Sequence, residues 1–149
     1  MTKPSWDAYF IGMAKFAAER GTCDRKRVGA VLVLDKRVLA TGYNGAPRDW
    51  PDCSEAGHLM VQMGERQSCV RTIHAEHNAV LQCAIHGVSC VGATCYTTAS
   101  PCFDCFKLLA QAGIKRIVSI EIYDGARMHG QDLGALALQA GINLERFEP

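Results

Sequence analysis

The chain has 149 residues, 48% hydrophobic and 21% charged, an ordinary globular composition with enough length for a proper core. Sixteen Lys and Arg against 15 Asp and Glu leave a net charge of +1, which argues against a broad nucleic-acid-binding face. No apolar run is long enough to span a membrane, Met1 to Phe10 lacks the layout of a signal peptide, and eight cysteines without an export signal suggest metal ligands and reduced thiols. The expectation is one cytoplasmic domain over residues 1–149, with no membrane or nucleic-acid partner.

From the N-terminus, Trp6, Phe10, Met13, Ala14 and Ala17 recur at helical spacing, so residues 4–20 read as an amphipathic helix ended by Gly21. Val28 to Leu34 is a continuous apolar run suited to a buried strand, and Val38 to Thr41 reads as its hairpin neighbour across Asp35-Lys36-Arg37. Residues 43–72 read as loop, with prolines, glycines, scattered charges and two cysteines. His74 to His86 is helical with Gly87 as its C-cap candidate. A strand over Ala93–Thr98, a helix over Cys102–Gln111 closed by Gly113, and a strand over Arg116–Ile120 follow. A helix over Leu133–Ala140 and a strand over Ile142–Phe147 finish the chain. This order predicts a single α/β layer sandwich.

Chemistry concentrates in two segments, His74-Ala75-Glu76 and Pro101-Cys102-Phe103-Asp104-Cys105. Alone, C-x-x-C is a redox pair or half of a structural zinc site, and H-x-E is most often a surface or core pair. Together they supply an imidazole and two thiols as zinc ligands, plus a carboxylate not needed as a ligand. A structural zinc site closes its fourth position with protein, whereas a catalytic one leaves it to water. Zinc held this way lowers the pKa of its bound water toward neutrality, and Glu76 is placed to act as general base and then general acid. Each segment falls at a predicted helix start, where backbone N–H groups and the helix dipole favour thiolates. H-x-E followed by P-C-x-x-C is the pattern of zinc nucleobase deaminases.

These motifs resemble the cytidine deaminase superfamily. Cys23-Asp24-Arg25-Lys26-Arg27-Val28-Gly29-Ala30-Val31, Thr41-Gly42-Tyr43-Asn44-Gly45-Ala46-Pro47 and Arg71-Thr72-Ile73 narrow the resemblance to the deoxycytidylate (dCMP) deaminase family, over roughly residues 5–147. The resemblance implies a three-layer α/β/α fold with a five-stranded mixed sheet. It implies hydrolysis of dCMP to dUMP and ammonia, with Zn2+ on His74, Cys102 and Cys105 and Glu76 as the catalytic proton shuttle. It also implies that Asn44 bonds the deoxyribose, that the Ala75 backbone holds the base, and that Tyr123 lines the base pocket. Some members are homo-oligomers, often hexamers, activated by dCTP and inhibited by dTTP; Mg2+ would accompany a triphosphate effector. Some hold a second, structural zinc, for which Cys23, Cys53, His58 and Cys69 are the candidate ligands here.

A nucleotide monophosphate needs cationic or backbone donors at one end of its pocket. The candidates are Arg25, Lys26, Arg27, Arg48 and Arg71, and Arg25, just ahead of a buried strand, is the choice. Cys83, Cys90 and Cys95 lie in apolar contexts and read as small buried hydrophobes. His77, one turn beyond His74, reads as a neighbour and not a ligand. Three alternatives stay open: a tRNA adenosine deaminase, a deaminase of another small substrate such as CMP, dCTP or a free base, and a catalytically silent zinc-stabilised competence or interaction protein.

Overall fold

In a computed structural model, which describes residues 2–122 and 126–149, the chain folds around a five-stranded mixed sheet with helices on both faces. Helix α1 (Trp6–Ala18) opens on Ser5, whose hydroxyl accepts the Ala8 N–H at 3.1 Å. It buries Phe10, Ile11, Ala14 and Ala18, a stripe that keeps Phe10 and Ala14 of the expected one and is rotated toward Ile11 and Ala18. Trp6 stays half-exposed and stacks on Phe10 with ring centroids 5.8 Å apart. Strands β1 (Gly29–Leu34) and β2 (Arg37–Tyr43) form an antiparallel hairpin. Leu34 pairs with Arg37, so the turn is the two residues Asp35-Lys36, both at positive φ as such tight hairpins require.

The segment read as loop holds three short elements: α2 (Cys53–Ala56), β3 (Met60–Met63) and β4 (Arg66–Cys69). The last two form a separate two-stranded antiparallel ribbon that turns at Gly64. Its residues alternate poorly between apolar and polar because neither face is buried in the core, so the usual strand signal is missing. Helix α3 (Ala75–His86) follows and ends on Gly87 at φ 67°, in the left-handed conformation. Strand β5 (Thr94–Thr97), helix α4 (Phe103–Gln111), strand β6 (Arg116–Ser119), a 3-10 turn over Ala126–Met128, helix α5 (Leu133–Ala140) and strand β7 (Asn143–Arg146) complete the chain.

The sheet order is β2-β1-β5-β6-β7, antiparallel through β5 and parallel from β5 to β7. Successive side chains on a strand face opposite ways. Val31, Val33, Tyr96 and Val118 therefore pack against Phe10, Ile11 and Ala14 of α1. On the other face Ala30, Leu32, Cys95 and Ile117 pack with residues of α3, α4 and α5, among them Ala79, Leu109 and Leu133. The expected three-layer α/β/α order is what forms. Two glycines set its spacing. A Cβ at Gly29 would lie 1.9 Å from the Ala14 carbonyl oxygen, and one at Gly42 would lie 2.2 Å from that of Ala75. Only glycine lets α1 and the first turn of α3 sit this close to the sheet.

At one edge Arg116 on β6 ties four elements together. Its guanidinium donates to both carboxylate oxygens of Asp7 in α1, at 2.7 and 2.9 Å, to Glu145 on β7, and to the Tyr96 hydroxyl on β5. Tyr96 in turn donates to Asp7 at 2.7 Å. Among the described residues no helix is long and apolar enough to cross a membrane.

Candidate metal centre and substrate cavity

His74 is the N-cap residue of α3 and Cys102 that of α4, two helices on the same face of the sheet. Their first turns converge beyond the C-terminal ends of parallel strands β5 and β6, a usual place for sites in α/β folds. His74 Nδ1 lies 3.2 Å from Cys105 Sγ and 3.5 Å from Cys102 Sγ. A tetrahedral zinc at ordinary bond lengths sets N–S edges near ~3.5 Å. Both nitrogen–sulfur edges are therefore of the length that metal needs. Cys102 Sγ also accepts the Cys105 N–H at 3.4 Å, the helix-start bond that favours a thiolate. Hydrogen bonding from the Cys105 thiol and from His74 draws the Cys102 pKa down to about 4, while Cys105 is pushed up by its bond to Cys102 and by burial. His74 is raised in turn, mainly by Cys102. His77 also brings a ring nitrogen within 4.8 Å of the donors of His74 and Cys105, its ring 5.9 Å from that of His74.

Glu76 is buried, and burial pushes its carboxyl above the usual carboxylate range. Its Oε2 receives the Cys105 thiol at 3.4 Å and its Oε1 lies 3.2 Å from Thr97 Oγ1. The carboxyl thus stands beside the donor set without completing it.

Glu76 lines a cavity of about 490 Å³ together with Ala75, Asn44 and Val28. Four cations line it: Arg25, Lys26, Arg66 and Arg127. Lys26 pairs with Glu121 at 3.2 Å, whereas none of the three arginines makes an ion pair among the described residues. Cations lining a cavity suit an anionic ligand. Of the phosphate candidates read from sequence, Arg25 lines the cavity. Arg27 and Arg48 do not, and Arg71 is spent on the carbonyls of Gly57 and Pro51. Arg66 and Arg127 were not among those candidates. Arg66 sits on the unforeseen ribbon, and Arg127 lies 51 residues beyond Glu76 in a stretch with no motif.

Asn44 is buried and largely committed to the backbone. Its Oδ1 accepts the Val28 N–H at 2.7 Å and its Nδ2 donates to the Lys26 carbonyl at 2.6 Å. One Nδ2 proton is left for the cavity. Asn78, unremarked in the sequence, donates to the Tyr43 carbonyl at 2.8 Å and so fixes the Thr41–Pro47 segment to α3. Tyr123 lies outside the described residues.

A second donor set forms behind the ribbon. The donor atoms of Cys23, Cys53, His58 and Cys69 all lie within 4.8 Å of one another. Cys53 and Cys69 are 3.6 Å apart at sulfur, and Cys23 Sγ is 3.5 Å from His58 Nδ1. These distances match the ~3.8 and ~3.5 Å edges of a tetrahedral zinc site. The far nitrogen of His58 faces Asp24 at 3.1 Å, and carboxylates so placed are the common partners of metal-binding imidazoles. The thiols share protons unequally. Burial and its neighbours Cys69 and Cys23 push Cys53 up to about 12. At Cys69, burial is outweighed by the Arg71 and Leu59 backbone and by His58, leaving it at about 6. Cys83, Cys90 and Cys95 are buried, as expected of small hydrophobes.

The family model for the cytidine and deoxycytidylate deaminase zinc-binding region matches residues 4–121. The chain belongs to this deaminase family. A deoxycytidylate deaminase of Mycobacterium phage D29 is 43% identical over 126 residues, 79% of this chain and 96% of that protein. ComE operon protein 2 of Bacillus subtilis (strain 168) is 42% identical over 148 residues, 99% of this chain and 74% of that protein. Among solved structures, a dCMP deaminase from cyanophage S-TIM5, in complex with dCMP and dUMP, superposes with a TM-score of 0.78 at 28% identity. That match covers 99% of this chain and all of the other. The expected deaminase fold is thereby borne out.

Proposed function

We propose that the protein hydrolyses dCMP to dUMP and ammonia. The observation that carries this reading is a buried Glu76 beside a three-donor set, in a cavity that three arginines and a lysine also line. The identities to deoxycytidylate deaminases support it. In this reading His74, Cys102 and Cys105 hold zinc, which would supply the Lewis acidity that makes water a nucleophile at neutral pH. Glu76 takes the proton of the attacking water at Oε2 and delivers it to the ring nitrogen. It then moves a second proton, from the added hydroxyl, to the exocyclic amine; the bond between the ring carbon and that amine breaks, and ammonia leaves. The Ala75 backbone helps hold the base, and Asn44 uses its remaining donor on the sugar. Arg25, Arg66 and Arg127 receive the 5′-phosphate.

In the same reading Cys23, Cys53, His58 and Cys69 hold a second, structural zinc that pins the ribbon bearing Arg66. The Thr41–Pro47 segment, tied to α3 through Asn78, is the place where dCTP with Mg2+, or dTTP, would act on the helix start bearing His74 and Glu76. Homo-oligomeric assembly and a cytoplasmic setting, where the thiols stay reduced, belong to this proposal as well. The test is ammonia release by the purified zinc-loaded protein from dCMP, CMP, dCTP and deoxycytidine. Turnover confined to dCMP supports the reading. Turnover of deoxycytidine equal to that of dCMP refutes the phosphate assignment, and silence on all four, with dCTP and Mg2+ added, refutes the function.

A further inference from the structure

Thr97 closes β5 and has no solvent-exposed surface, a polar residue on the sheet face that otherwise buries Cys95, Ile117 and Leu32. Its backbone is fixed from both sides, paired with Ala30 of β1 and with Ser119 of β6. The hydroxyl is therefore held by the sheet itself. It reaches two acceptors, Glu76 Oε1 at 3.2 Å and the Ala99 carbonyl at 3.1 Å. A hydroxyl has one proton to share between them. Ala99 is itself a wall of the cavity, two residues ahead of Pro101 and three ahead of Cys102.

We propose that Thr97 is a positioning residue for Glu76. By holding Oε1 against the sheet it leaves Oε2, the oxygen beside Cys105, as the one that works on the substrate. The proposal rests on Glu76 being the proton shuttle. A carboxyl has two equivalent oxygens and a free side-chain torsion, so without an anchor it samples orientations in which neither oxygen faces the reacting atoms. Thr97 anchors the carboxyl through Oε1, while Oε2 faces the Cys105 sulfur. Such anchoring affects the chemical step more than it affects substrate affinity, since Thr97 is fully buried and does not line the cavity.

Thr97→Val, which swaps the hydroxyl for a methyl of nearly the same shape, and Thr97→Ser, which keeps the hydroxyl, separate hydrogen bonding from packing. The readouts are kcat and KM for dCMP, the dissociation constant for dUMP, and zinc per chain. For Thr97→Val kcat falls on the order of 10- to 100-fold, while KM, dUMP affinity and zinc content stay within about two-fold. Thr97→Ser stays within about three-fold of the unaltered enzyme in kcat. A Thr97→Val enzyme with unaltered kcat, or a Thr97→Ser enzyme as slow as Thr97→Val, overturns the proposal. A loss expressed in KM or in zinc content overturns it too. Failure of the unaltered protein to turn over dCMP is distinguishable from these, and it removes both the function and the positioning role.

Discussion

Replacing Arg116 by Met tests how the scaffold is braced apart from the site. The guanidinium joins Asp7, Tyr96 and Glu145, and so α1, β5, β6 and β7. Side-chain exposures of 28%, 35% and 38% for Arg116, Asp7 and Glu145 place the cluster between a surface pair and a buried one. Surface pairs contribute up to about 1 kcal/mol, and breaking a buried one costs about 3–5 kcal/mol. Screening at this exposure brings the expected loss to about 2 kcal/mol, or a fall in Tm of roughly 4–8 °C for a chain of this size. The loss depends on pH. Arg116 holds the carboxyls of both Asp7 and Glu145 below their ordinary values. Their stabilisation is complete above the unfolded carboxylate range, near ~4, and is lost as pH falls through the lower folded values. Urea unfolding of both proteins at pH 7, 5 and 3 should therefore show a gap that is full at pH 7 and narrows toward pH 3. Turnover per folded molecule should stay unaltered, because Arg116 does not line the cavity. A gap independent of pH, or no gap at pH 7, would refute the reasoning.

Cys53→Ser should lower bound zinc from two per chain to one and speed tryptic cleavage at Arg66, because a lone two-stranded ribbon is marginal in water; unaltered zinc content and cleavage would rule out the metal pin. Arg66→Ala should weaken dUMP binding about tenfold and leave deoxyuridine binding unaltered, as measured by calorimetric titration; equal effects on both ligands would mean that Arg66 does not meet the phosphate. Asn44→Ala orphans the Val28 N–H and the Lys26 carbonyl, so it should cost about 2 kcal/mol in urea unfolding as well as raise KM for dCMP. Unaltered stability would contradict the backbone role of Asn44.

The sequence was readable wherever one local rule decided the outcome. Long periodic helices such as α3, the apolar run of β1 and the glycine that closes α3 formed close to where periodicity and capping put them. The donor set of His74, Cys102 and Cys105 was readable because each segment begins a helix, and helix starts impose their own geometry. What the sequence hid depends on tertiary contact. The β3–β4 ribbon buries no core face, so Met60-Val61-Gln62-Met63 carries no alternation to detect. Arg66 and Arg127 meet Arg25 only through the fold. Thr97 left a usable trace, since alternation along Cys95-Tyr96-Thr97 puts a hydroxyl on the buried face with Cys95. Asn44 was read as a substrate contact, while most of its hydrogen bonding goes to backbone 16 and 18 residues upstream.

The most direct test compares the unaltered protein with Glu76→Gln at matched zinc content, following conversion of dCMP to dUMP. The amide keeps the shape and the Thr97 bond but cannot carry the proton, so the account predicts full zinc, a folded protein and turnover lower by roughly 10³-fold or more. Near-normal turnover by Glu76→Gln, or no dUMP from the unaltered protein, would contradict it.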